Sequence, residues 1–403
     1  MPARRLSTFP PDLLEGRKVL VRADLNVPLR DGSVADDTRI RASIPTLDRL
    51  TDAGASVLLM SHLGRPDGAA DPAYSLAPVA ERLGEFARGT VSFVGATVGD
   101  EVEDRASRLG PGEILLLENT RFLPGETKND PELAARLGAL ADMYVNDAFG
   151  TAHRAHASTE GVARVVKERG GLALAGLLLE RELRFLGEAL DEPERPFVAI
   201  LGGAKISGKI DVVEALLPRV DGLLIGGAMA NTFLLALGLE VGESLVEEDR
   251  VEMARDLMER AGDRLVLPVD CRVASEISPT AAVRVVPRDG VGDGHRIGDI
   301  GPETEALFRE TVLGARTLVW NGPMGVFEMA PFAEGTLAVA RAVADATDEG
   351  AVSVLGGGDS AAAAEAAGVS DRLTHVSTGG GASLEFLAGR VLPGVAVLSQ
   401  EDA

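Results

Sequence analysis

The stretch AVSVLGGGDSAAAAEAAG (351–368) sets the fold class. Its start, rich in valine and leucine, reads as a buried strand. Three glycines follow, Gly356 to Gly358, and then an alanine-rich segment with the propensity of a helix. Asp359 or Ser360 is placed to cap that helix, and Gly368 to end it. A strand that turns through glycines straight into a helix is half of a βαβ unit. Bare amides at the helix start, beside a glycine loop, form an anion site. One such loop is weak evidence, because tight turns also need glycine. STGGGASLEFLAG (377–389) repeats the device, and two loops on consecutive strands of one sheet are stronger.

Outward from this segment the same alternation runs through most of the chain. In the first half the strand candidates are KVLVRAD (18–24), SVLLMSH (56–62), VSFVG (91–95), EILLLEN (113–119) and DMYVND (142–147). In the second half they are PFVAILGG (196–203), DGLLIGG (221–227), RLVLPVD (264–270), AVRVVP (282–287), TLVWNG (317–322), the segment above and LTHVSTGGG (373–381). The expected class is α/β, with two doubly wound, mostly parallel sheets. GGLALAGLLLERELRFLGEALDEPERP (170–196) reads as one long connecting helix, with the domain boundary near Gly170–Gly171. One domain is then 1–170 with the tail 390–403 packed against it, and the other is 171–389.

In open parallel sheets ligands bind beyond the carboxyl ends of strands. In the first half those ends carry Arg22, Asp24 and Asn26, then Arg39, His62 and Arg65, then Arg121, and finally His153, Arg154 and His156. Arginine grips phosphate and carboxylate bidentately, so the set implies a small, multiply anionic ligand. Ordinary surface arginines are the alternative for any one of them, since the chain has 35. His62 and His153 read as anion donors or packing residues, and His156 as structural; no triad is indicated.

Lysine is scarce, with five in the chain, and two of these are Lys205 and Lys209 in LGGAKISGKI (201–210). The segment nearly matches the G-x-x-x-x-G-K-[ST] phosphate loop. Its last position is Ile210, which cannot ligate Mg²⁺, so that loop class is disfavoured. Two lysines on a glycine-rich turn remain. WNGPMGVFE (320–328), with Asn321 at its start, has turn residues suited to a nucleoside pocket, where Glu328 can accept from ribose hydroxyls.

Composition narrows the function classes. The 403 residues suit two domains. The net charge is −22, of which −18 falls after residue 170, which argues against nonspecific nucleic-acid binding. The acidity and the arginine excess reflect either a salt-adapted surface or genomic base composition. Cys271 is the single cysteine, so no internal disulfide forms. No apolar run is long enough to span a membrane, and the first residues lack a signal-peptide core. A cytoplasmic protein is expected.

The chain resembles the phosphoglycerate kinase family over nearly its whole length. The resemblance rests on VRADLNVP, SHLGRP, LLENTRF, NDAFGTAHRAH, ILGGAKISGKI, VWNGPMGVFE, LGGGDS, HVSTGGGASLE and LPGVAVL, in the family's order. It implies that Asp24, Asn26, Arg39, His62, Arg65, Arg121 and Arg154 bind phosphoglycerate. It implies further that Lys205, Lys209, Asn321, Glu328, Gly357, Gly358, Asp359 and Ser360 serve ATP or ADP and the phosphate in transfer. Arg39, Lys205 and Gly380 are the expected catalytic groups, with Asp359 the expected holder of Mg²⁺. Two departures stand out: Ser360 where Thr is commoner, and Gly208 where an acidic residue is common. A monomer acting on small molecules is expected, with hinge bending about 171–190 and Ser377–Thr378. A nicotinamide dehydrogenase would need an early G-x-G-x-x-G with an acidic residue beyond it, and none is present.

Overall fold

The computed structural model describes residues 3–66 and 68–399. By packing the chain separates into two compact units, one reaching Leu183 and including the segment from Val391 onward, the other Arg184–Arg390.

The first unit is built on β1 (Lys18–Ala23), the short hairpin β2 (Leu29–Arg30) and β3 (Ser33–Val34), β4 (Ser56–Met60), β5 (Thr90–Phe93), β6 (Glu113–Leu116), β7 (Met143–Asp147) and β8 (Leu172–Ala175). Six of these form one sheet in the order β5-β6-β4-β1-β7-β8, every pairing parallel. Helices α1 (Thr38–Asp52), α2 (Ala77–Gly84), α3 (Asp100–Ser107), α4 (Pro131–Gly138) and α5 (Val162–Glu168) connect them. A parallel sheet covered by helices buries both faces, which is why its central strands are apolar throughout rather than alternating. Val19, Val21, Val57, Leu59 and Val145 join the core with Leu47 and Leu50 of α1.

Residues 170–196 are not one helix. Leu172–Ala175 is the sixth strand, in register with Met143–Asn146 of β7. Only after Gly176 does α6 (Leu177–Asp191) begin. A four-residue LALA run suits either element, and the neighbouring β7 edge decides it. The sequence boundary lies at 170–171, whereas packing divides the chain after Leu183, because β8 and the first turns of α6 belong to the first sheet's surroundings. There the Leu177 amide donates to Thr46 Oγ1 at 2.9 Å and the Leu178 amide to Asp147 Oδ1 at 2.9 Å.

The second unit runs through β9 (Phe197–Leu201), α7 (Ile210–Leu216), β10 (Gly222–Ile225), α8 (Ala228–Ala236), α9 (Val251–Ala261) and β11 (Leu265–Val266). It continues with β12 (Asp270–Ala274), β13 (Arg284–Pro287), β14 (Arg296–Ile300), α10 (Pro302–Leu313), β15 (Thr317–Asn321), α11 (Glu334–Asp348), β16 (Val352–Gly356), α12 (Gly358–Ala366), β17 (His375–Val376) and α13 (Gly381–Leu387). The main sheet has the order β11-β10-β9-β15-β16-β17, again all parallel. Counted from β9, this is 3-2-1-4-5-6, so the chain reverses direction across the sheet between β9 and β15. The core packs Val198, Ile200, Leu318 and fully buried Trp320 against Phe308, Val339 and Val343.

A separate antiparallel sheet, β13-β12-β14, lies outside the expected plan. AVRVVP is a strand, but it belongs here and not with the parallel strands. After β17 and α13, the short helix α14 (Pro393–Ala396) returns to the first unit, where Asn146 Nδ2 donates to Gly394 O at 2.9 Å.

Candidate functional site

In the first unit the carboxyl ends of β1, β4, β6 and β7 carry the residues singled out by sequence. Asp24, just beyond β1, accepts from Arg39 Nη1 at 2.8 Å, and so aims that half-buried guanidinium from the start of α1. Asn26 Oδ1 accepts the Gly64 amide at 2.8 Å, and Arg121 Nη1 donates to Gly64 O at 2.7 Å. Both contacts organise the turn that carries Arg65. Asn119 braces the same region from beneath, donating to Leu63 O at 2.7 Å and Tyr74 O at 2.9 Å. Arg65 and Arg154 are exposed.

Beneath these groups lies a polar layer whose importance sequence did not rank. Arg22 is 1% exposed. Its Nε donates to Ser158 Oγ at 2.9 Å, and its Nη2 lies 3.0 Å from His62 Nδ1. The Ser158 hydroxyl donates in turn to buried Glu126, which also accepts the Ser158 amide at 3.0 Å. A guanidinium can only donate, so His62 Nδ1 is the acceptor and its proton sits on Nε2. Burial, then the charges of Arg22, Arg121 and Arg39, push the His62 pKa well below the usual histidine range. His62 is therefore a neutral donor. Arg121 shows the same crowding: burial first, then Arg22, Arg154 and Arg65, lower its pKa against the opposing Glu126. His156 is buried, and burial followed by the arginines takes it to about 4, in keeping with a structural residue.

The second unit assembles its site largely from backbone. At the β9/β15 reversal the Gly202 amide donates to Asn321 O at 3.0 Å. A Cβ at Gly202 would lie 2.0 Å from Pro323 O, so only glycine lets the two strand ends meet. Lys209 Nζ donates to Asn321 O at 2.9 Å and also to Asn321 Oδ1. Asn321 Nδ2 passes the link on by donating to Gly356 O at 2.7 Å. Burial lowers the Lys209 pKa to about 8, opposed by the nearby Asp359 carboxylate.

Neither Asp359 nor Ser360 caps α12. The N-cap is Gly357, at φ 93°, with no side-chain cap. Ser360 is buried, and its hydroxyl accepts the Gly322 amide at 2.6 Å, tying the β16 loop to the β15 loop. Asp359 is exposed in the helix's first turn. Gly358 opens α12, and Gly380, at φ 51°, precedes α13. The Gly379 amide is already engaged by Ser377 Oγ at 3.1 Å. Lys205 and Glu328 are exposed and stand outside the Lys209–Asn321–Ser360 cluster.

Sequence inspection missed Gly226–Gly227. The Gly226 amide donates to Leu201 O and the Gly227 amide to Met324 O, each at 2.9 Å, so the ends of β9, β10 and β15 are laced together. The visible signal was a glycine pair, at the end of DGLLIGG, leading directly into α8. Among the described residues no group of three or more His, Cys, Asp or Glu side chains is placed to hold a metal. A lone exposed carboxylate suits only a cation whose other ligands are phosphates and water, and Asp359 fits that requirement.

Arginines and His62 thus gather at the strand ends of one unit, and glycine loops with lysines at those of the other. The phosphoglycerate kinase family matches residues 12–390. The chain belongs to that family. A phosphoglycerate kinase of Chloroflexus aurantiacus is 56% identical over 96% of this chain and 97% of its own length. One from Chlorobaculum tepidum is 54% identical, with the same coverage. Among solved structures, phosphoglycerate kinase from Coxiella burnetii superposes with a TM-score of 0.87 at 42% identity, covering 98% of this chain and 99% of that one. The Pyrococcus horikoshii enzyme gives 0.81 at 33% identity, covering 98% of each. Family membership makes the chain a phosphotransferase acting on 3-phosphoglycerate with ATP or ADP. No helix among the described residues is long and apolar enough to cross a membrane.

Proposed function

We propose that the family's reversible transfer, between 1,3-bisphosphoglycerate with ADP and 3-phosphoglycerate with ATP, is divided in this chain between its two units. Asp24, Asn26, Arg39, His62, Arg65, Arg121 and Arg154 hold the acid. Lys205, Lys209, Glu328, Gly357, Gly358 and Asp359 serve the nucleotide, while Asn321 and Ser360 act through the loops they fasten. The observation that carries this reading is the gathering of arginines at these strand ends, with Arg22, Arg39 and Arg121 around His62, and Arg22, Arg65 and Arg154 around Arg121.

Toward ATP consumption the nucleophile is the carboxylate of 3-phosphoglycerate, ionised at neutral pH without help. An oxygen–phosphorus bond forms as the γ-phosphoryl leaves ADP, and no protein base is called for. What the chain supplies is positioning and positive charge. Lys205 and Arg39 clasp the transferring group, with the backbone at Gly380 beside it. Mg²⁺ on the nucleotide would neutralise phosphate charge, and Asp359 is the residue to hold it. Since each unit carries one ligand set, transfer requires the two sets to come together. Hinging at α6, which crosses the division after Leu183, and at Ser377–Thr378 would do this and exclude water. We place the protein in the cytoplasm as a monomer.

Calorimetry separates the two sets. Arg121→Ala should lose 3-phosphoglycerate binding and keep MgATP binding, while Asp359→Ala should do the reverse. Equal losses of both ligands in both variants would overturn the division. For closure, small-angle scattering profiles that stay the same with and without both substrates would remove the hinge.

A further inference from the structure

The loop from Gly202 to Lys209 carries both lysines and has no acidic residue of its own, position 208 being glycine. A carboxylate meets it from elsewhere. Glu247, between α8 and α9, accepts the Ser207 amide at 3.0 Å through Oε2 and the Ser207 hydroxyl through Oε1. This two-oxygen grip fixes both backbone and side chain of a residue two positions from each lysine. Burial alone would raise the Glu247 pKa. The Ser207 hydroxyl and amide, the Ile206 amide and the Lys205 charge outweigh it and hold the carboxyl below the usual range. The carboxylate is thus ionised at neutral pH and close enough to Lys205 to feel it.

Glu247 is itself anchored. Its amide donates to Thr232 Oγ1 at 3.2 Å, and Asn231 Nδ2 donates to Leu245 O at 3.1 Å, both from α8. The two ends of the lysine loop are fastened separately, with Met229 N donating to Gly203 O at one end and Lys209 Nζ donating to Asn321 at the other. Between those ends, Ser207 and Lys205 are exposed, and the Glu247 grip is the side-chain tie on Ser207.

We propose that Glu247 is a positioning residue for phosphoryl transfer, holding the lysine loop from outside so that Lys205 meets the transferring group. The inference rests on the role given to Lys205 above. Charge stabilisation depends on groups already oriented when the charge develops, so loosening this loop lowers turnover more than affinity.

The test is steady-state kinetics with both substrates varied. Glu247→Ala should lower kcat roughly tenfold, the size expected for losing a charged cap on backbone and hydroxyl donors, with both KM values within about twofold. Ser207→Ala should lose part of that. Should Glu247→Ala fail to fold, Glu247→Gln, which keeps one acceptor, should show a smaller drop of the same kind. An unchanged kcat with a lower Tm, or a raised KM at unchanged kcat, overturns the proposal. A Lys205→Ala variant that turns over normally would instead overturn the reading beneath it.

Discussion

In the first unit the groups proposed to hold the acid stand on a layer of buried side chains, whereas in the second the strand ends are fitted together by backbone. Arg22, Ser158 and Glu126 form a chain of charge-assisted hydrogen bonds that orients His62 from below. Gly202, Gly227 and Gly322 play the equivalent part in the second unit by lacking a side chain. At Gly227 a Cβ would lie 2.5 Å from Gly203 N, and at Gly322 it would lie 2.4 Å from Gly202 O. The first arrangement suits a small, fixed anion that needs directed donors. The second suits phosphates that take amides and the charges of two lysines. The two should therefore fail in different ways: the first by losing side chains, the second by gaining them.

The largest effect expected from one residue is at Lys205, the exception to the backbone rule. Lys205→Ala removes charge from the transferring phosphoryl and should lower kcat by about 10²–10³ while KM changes little, by analogy with losing one donor to a developing charge. A normal kcat would place the clasp elsewhere. Next is Gly322→Ala. Its φ of 93° and its contacts with Gly202 O and Lys209 Nζ leave no room for a methyl group. Strain and overpacking together should cost about 1–3 kcal/mol in stability and weaken ATP binding while sparing 3-phosphoglycerate binding. If 3-phosphoglycerate binding falls as far as ATP binding, the contrast between the units is broken.

How much of this the sequence revealed follows the same contrast. Parallel strands buried on both faces announce themselves as apolar runs, so β1, β4, β7, β9 and β15 were legible directly. β14, RIGDI, has no such run, and AVRVVP reads as a strand but carries nothing that tells its antiparallel pairing with β12 from a place in the parallel sheet. LALA at 172–175 became a strand because β7 offered it an edge, which is tertiary information. Among the site residues, arginines at strand ends stood out by type and place. Arg22 did not look different from its neighbours, since its distinction is burial against Ser158 and His62. Asp359 and Ser360 both look like caps in sequence. The fold uses Ser360 to reach Gly322 across the sheet, and chain position alone cannot show that choice.

Arg65→Ala probes the first unit at its rim. The side chain is exposed and aimed by a turn that Asn26 and Arg121 organise, so its loss removes a ligand contact without disturbing the buried layer. KM for 3-phosphoglycerate should rise about tenfold with kcat nearly unchanged. Arg22→Ala, by contrast, should lower Tm as well, because it strands Ser158, Glu126 and His62. Equal thermal stability in the two variants would deny the layered construction.

The smallest effect separates charge from fold in the second unit. Lys209 titrates at about 8 in the free protein. As pH rises through that value the ammonium is lost, so kcat/KM for ATP should fall a few-fold on the alkaline side. Stability moves the opposite way. The folded pKa lies below the ordinary lysine value of 10.5, so between about 8 and 10.5 the unfolded chain binds the extra proton. The contribution of Lys209 to stability therefore rises with pH across that window. Falling activity without a falling Tm marks the loss as one of phosphate-facing charge. Lys209→Arg, which stays protonated, should flatten the alkaline limb. If the limb persists unchanged in that variant, the titrating group lies elsewhere, and the link from Lys209 through Asn321 to Gly356 is packing alone.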